Sequence, residues 1–180
     1  MMNKKVNRCV SLLTGIVATI GLGALSSCDD LDKIKFDLTM PVVFAVAETE
    51  TNSGGKDYEV TALLDISQNP DVISYINRLE EIKVNHIEYS VSNADLEDIS
   101  LNEATITTSG GFSIVKDLTI PLSNSSSGQF ELNAPGVNDL ATRLIGNEKD
   151  ELHLSGFLTR TPLTCNVTIT FHLSIKARAI

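Results

Sequence analysis

His86 and Glu88 stand two residues apart in an alternating segment, so their side chains share one strand face. An imidazole and a carboxylate so placed can share a metal ion or relay a proton. A deaminase-like His-x-Glu also needs a paired-cysteine motif, and Cys9, Cys28 and Cys165 form no such pair. The two are therefore read as solvent-facing polar side chains. His153 and His172 likewise alternate with apolar neighbours and are expected to point outward. Gly111-Phe112-Ser113-Ile114-Val115 lacks the second glycine that closes a nucleophile elbow, and nothing helical follows it. Around Gly54-Gly55-Lys56, Glu50 replaces the first glycine of a phosphate loop and Asp57 its metal-binding hydroxyl. Asp95-Leu96-Glu97-Asp98, with Glu103 nearby, offers oxygen ligands for Ca²⁺ but not the Asp-x-Asp-x-Asp-Gly spacing of a calcium loop. It and Glu148-Lys149-Asp150-Glu151 read as charged turns. Cys165 is in phase with Val167, Ile169 and Phe171, which makes it a small buried hydrophobe. No catalytic residue, metal ligand or cofactor is assigned on these grounds.

The N-terminus carries the most specific chemistry. Lys4, Lys5 and Arg8 precede Val10–Leu25, a mostly apolar run too short to span a bilayer and of the right length for a secretory signal. Leu25-Ser26-Ser27-Cys28 ends that run and resembles a bacterial lipobox. Small residues at 26 and 27 suit a narrow protease pocket, and Cys28 offers the thiolate that takes a diacylglyceryl group. The expected boundaries are a signal peptide over 1–27, the lipidated Cys28 with a short acidic tether over 28–32, and one domain over 33–180. The tether reaches under about 20 Å, so the domain sits close to the bilayer. The acids of Asp29-Asp30-Leu31-Asp32 resemble the signal that sends Bacteroidota-type lipoproteins to the outer face of the outer membrane. In enterobacterial lipoproteins an acid just after the cysteine resembles an inner-membrane retention mark instead. The first reading is preferred, which makes the chain an outer-membrane lipoprotein exposed on the cell surface.

The elements that must position these residues are strands. The whole chain carries a formal −9; removing the leader and its three basic residues leaves 11 bases against 23 acids, or −12. Nucleic acid and anionic surfaces repel such a domain. Val167, Ile169, Phe171, Leu173, Ile175 and Ala177 alternate with polar residues, the pattern of a half-buried antiparallel strand. Ile34–Met40 alternates too, with a break expected at Pro41 before Val42–Ala47, and Tyr58–Ile66 returns after the turn at Asn52–Gly55. Further strands are expected over Ile82–Val91, Ala104–Thr108, Phe112–Val115, Leu118–Leu122, Gln129–Leu132 and Glu151–Thr161. One short helix starts at Asn69-Pro70 with Val72, Ile73, Ile76 and Leu79 as its apolar stripe; a second runs about Val137–Ile145 and stops at Gly146. The fold class is all-β: an antiparallel β-sandwich of about 7–8 strands with two short helices.

With that lipobox, the acids after it and the strands from Ile82 through Lys176, the chain resembles the small exported lipoproteins of Bacteroidota with an immunoglobulin-like β-sandwich. The resemblance implies fold and location and no activity. The expected function is a lipid-anchored cell-envelope binding or assembly module without catalysis. It holds the membrane through Cys28 and takes an envelope protein or glycan as partner, with no nucleic acid. The alternatives are a surface glycan-binding lipoprotein, for which a chain without Trp has few stacking platforms, and a hydrolase. Binding is expected through polar loops at one end of the sandwich, with Glu48–Asp57, Ser92–Ser100, Ser123–Gly128 and Asn147–Asp150 as the candidates.

Overall fold

A computed structural model describes residues 32–179; the signal segment, Cys28 and most of the acidic tether lie outside the described residues. The strands are β1 (Lys33–Asn52), β2 (Lys56–Asp65), β3 (Leu79–Ser92), β4 (Ser100–Thr107), β5 (Ser113–Pro121), β6 (Ser127–Phe130), β7 (Lys149–Leu158) and β8 (Thr161–Arg178). The helices are α1 (Pro70–Ile73) and α2 (Ala134–Asn147). The strands form two four-stranded antiparallel sheets, ordered β1-β8-β3-β6 and β2-β7-β4-β5. The protein is thus an all-β sandwich of eight strands with two short helices, as its periodicity predicts. Immunoglobulin-like domains share this layered architecture, although here the first and last strands are neighbours, whereas constant-type order places the first beside the second.

Burial follows the period of two. Along β8 every second residue from Leu163 to Ala177 is buried, and the intervening polar residues face out. Phe171 and Phe44 are fully buried, and Cys165 lies in the same apolar layer, as its phase requires. Pro41 does not break β1. It pairs with Thr170 inside a continuous strand, because β1 is the edge of its sheet and an edge tolerates a residue without an N–H. Phe112–Val115 and Leu118–Leu122 are not separate strands either. They belong largely to β5, whose register against β4 shifts where Asp117 takes a left-handed φ of 58°.

The N-cap at Asn69 forms as expected, its side chain accepting the Asp71 N–H. Its helix is shorter than expected. It ends at Ile73, which is exposed, and a separate 3₁₀ turn over Ile76–Arg78 leads into β3, so the stripe splits and only Val72 is fully buried. The second helix is longer than expected and runs past Gly146; Glu148, with a φ of 65°, makes the left-handed cap whose N–H bonds to the Leu144 carbonyl. Gly136, Leu140 and Leu144 share its buried face. Glycine is required at 136 because a Cβ there would lie 1.9 Å from the Ser113 carbonyl oxygen. The helix touches β3 of one sheet and β5 and β7 of the other, so it closes one side of the sandwich.

One irregularity repositions chemistry. In β3, Ile82 and Val84 are buried, and the phase then switches to Ile87 and Val91. Register against β8 moves two residues on β3, from Val84 to His86, for one on β8, from Leu173 to His172. This is a β-bulge, and it turns Asn85 and His86 toward the same outer face.

Candidate functional site

The bulge brings His86 opposite His172 on the wet face of the β1-β8-β3-β6 sheet. The two imidazole rings stack with centroids 3.9 Å apart and planes 11° from parallel. Glu88, two residues beyond His86, straddles them: one carboxylate oxygen is 3.6 Å from His86 Nε2 and the other 3.6 Å from His172 Nε2. Both separations exceed hydrogen-bond range. His172 Nε2 is buried and has no hydrogen-bond partner among the described residues, while Nδ1 lies 3.3 Å from the Thr39 hydroxyl of β1. The outward direction expected of His86, Glu88 and His172 holds, but the three form a cluster that sequence spacing did not reveal. Beside it runs a polar ladder, in which Asn85 donates to Ser174 and Ser174 donates to Asp37.

The loops form a second assembly. Lys33 pairs with Arg178, and Asn52 with Thr161, so the two ends of β1 mark the two ends of the sandwich. Register then places the turns 53–55, 93–99, 122–126 and 159–160 together at the end where β1 finishes. These turns interlock. Asn124 accepts the Ala94 N–H at 2.8 Å and donates to its carbonyl at 3.0 Å. Asp95 accepts the Thr164 N–H at 3.0 Å, and the Leu122 N–H reaches the Ile99 carbonyl at 2.8 Å. The loops are therefore held by one another rather than splayed into solvent. Between them lies an open depression of about 390 Å³ lined by Glu97, Asp98, Ser100, Pro121, Ser123 and Ser125.

Two expected loops change. Glu48–Asp57 is mostly strand, so only 53–55 projects; there Lys56 donates to Glu48 at 2.8 Å, holding that carboxyl below the usual carboxylate range. Asn147–Asp150 lies at the opposite end, where β1 begins, and Asp150 is buried under Ser109, whose backbone N–H and hydroxyl both donate to it. Around that carboxylate, Asp139 accepts hydrogen bonds from Arg143 and Thr108, which lower its pKa, the guanidinium contributing most. This network fastens α2 to the β4–β5 turn.

The remaining sequence candidates separate. Ser113 starts β5, where its carbonyl accepts from Asn133, so it is a strand residue as read. Gly55, at a φ of 77°, makes the β1–β2 turn. Glu103 lines a depression with Asp57 and Glu59, apart from the 95–98 turn. His153 pairs with Glu59 at 2.9 Å on the outer face of the other sheet. Burial, with the Asp95 carboxylate adding to it, pushes the Cys165 thiol up to about 11, so it stays protonated and is a poor nucleophile near neutral pH. Among the described residues no helix is long and apolar enough to cross a membrane.

No family profile matches the chain, and no curated protein matches it. Among solved structures, one from desmodium yellow mottle tymovirus aligns over 100% of this chain and 98% of its own, at 12% identity and a TM-score of 0.34. A likeness that distant carries no argument about fold or function.

Proposed function

We propose that the chain is a lipid-anchored binding module of the bacterial outer membrane, held through Cys28 and exposed on the cell surface, which captures an envelope partner and turns over no substrate. One observation supports this reading above the others: the turns 93–99 and 122–126, both polar, converge and interlock at the end of the sandwich opposite Lys33, where the described chain leaves the tether. Asp95 on that rim bonds to Thr164, which pairs with Ala47; the 14 residues from Lys33 to Ala47, at about 3.3 Å each, put the rim roughly 45 Å from Lys33. A fixed, polar, acidic rim held away from the bilayer suits docking, and its order is settled before the partner arrives.

Charge then names the partner class. Asp95, Glu97 and Asp98 crowd the rim of a chain whose formal charge without the leader is −12, which favours a basic protein surface. Full chain in detergent, used to retain envelope proteins, should hold a partner at low salt and release it as salt screens the attraction. Glu97→Lys combined with Asp98→Asn, the asparagine chosen because Asp98 sits at a φ of 59°, should weaken retention by at least about tenfold. Retention indifferent to both salt and this variant would overturn the reading. Capture on a glycan array instead would support a glycan-binding lipoprotein, and ester, peptide or glycoside hydrolysis lost on changing His86 or Glu88 would support a hydrolase.

A further inference from the structure

We infer that His86, His172 and Glu88 form a binding site for one divalent transition-metal ion of the Zn²⁺ class, a role independent of docking at the loop rim. The ligand atoms of the three lie within 4.8 Å of one another. Two imidazole nitrogens and one carboxylate oxygen are the donor set that borderline-soft Zn²⁺ accepts in three-ligand sites, with a fourth position left open. Bond lengths of about 2.0–2.1 Å at tetrahedral angles put neighbouring ligand atoms about 3.3–3.5 Å apart. The nitrogen–oxygen separations of 3.6 Å, from His86 to one carboxylate oxygen and from His172 to the other, are close to that edge and too long for hydrogen bonds.

Three further features point the same way. His172 Nε2 is buried and unpartnered among the described residues, and a buried polar atom left so is costly unless an ion takes its lone pair. The Thr39 hydroxyl, 3.3 Å from His172 Nδ1, is placed to accept the proton of that nitrogen and so fix the tautomer with Nε2 bare. The bulge at Asn85 and His86 adds one residue on β3, and without it His86 would fall on the opposite face. Closing on an ion tilts the imidazole planes out of their parallel stack, since parallel rings aim their lone pairs side by side rather than at one point. Bound there, the ion cross-links β3 to β8.

The test uses full chain in detergent and Co²⁺ or Zn²⁺ alone as the probe. One equivalent of Co²⁺ should give the visible bands of a nitrogen–oxygen site without thiolate charge transfer, which separates it from Cys9, Cys28 and Cys165. Nuclear magnetic resonance of the imidazole rings should show Zn²⁺ moving two of the three histidines and leaving His153 in place, a readout that needs no variant. His86→Ala and His172→Ala should each abolish stoichiometric binding, and Thr39→Val should weaken it about 10–100-fold. Stoichiometric binding that survives both histidine changes, a thiolate band, Zn²⁺ shifts at His153 alone, or no binding at millimolar Zn²⁺ would overturn the assignment.

Discussion

Phe171→Ala is expected to remove about 3–5 kcal/mol of folding stability, the usual cost of emptying a fully buried phenylalanine site. The magnitude follows from where the ring sits. Phe171 lies on β8, which is flanked by β1 and β3, opposite Met40 on one and Ile87 on the other, and it is fully buried in the layer between the sheets. Neighbours on two sides are ladder-bonded strands, so they collapse little into the space the ring leaves. For a domain near 150 residues, this lowers the melting temperature by roughly 10 °C. Phe112→Ala is the internal control: that ring is 50% exposed on the β4–β5 turn, and its loss should move stability by less than about 0.5 kcal/mol. Urea unfolding followed by far-UV circular dichroism measures both. Equal costs for the two would contradict the sandwich core described here.

Cys28→Ala should end membrane anchoring by the route proposed. Each acyl CH₂ buried adds about 0.8 kcal/mol, and a single chain binds only marginally, so stable attachment rests on the two or three chains that a processed cysteine carries. Mass spectrometry of the mature protein should show residues 1–27 gone and a lipid on Cys28. The alanine variant should keep its leader and take up no labelled palmitate. A wild-type protein that retains Met1, or a Cys28→Ala protein that still acquires label, would rule the anchor out.

How much of this was legible in the sequence depends on the range of the interaction. The alternation of Val167 through Ala177 gave the last strand, because a period of two needs no knowledge of the neighbouring strand. Asn69-Pro70 gave a helix start for the same local reason. Pro41 misled, because whether a missing N–H matters depends on strand order, and only the structure puts β1 at an edge. The His86–His172 pairing joins positions 86 residues apart, so it belongs to register and is invisible to spacing. Half of its signal was nonetheless local. Ile82 and Val84 are out of phase with Ile87, Tyr89 and Val91, and that switch marks the bulge. The loops behave alike: their polarity was readable, and their division between the two ends required the pairing of Asn52 with Thr161 and of Asp65 with Lys149.

The proposed partner docks on the loop rim away from Lys33. Photo-cross-linking in intact cells tests it most directly, with a photoreactive side chain at exposed Ser125 on the rim in one strain and at exposed Phe112 on the opposite end in another. A discrete protein adduct is expected from Ser125, diminished by Glu97→Lys, and none from Phe112. An adduct from Phe112 alone, or none from either position, would contradict it.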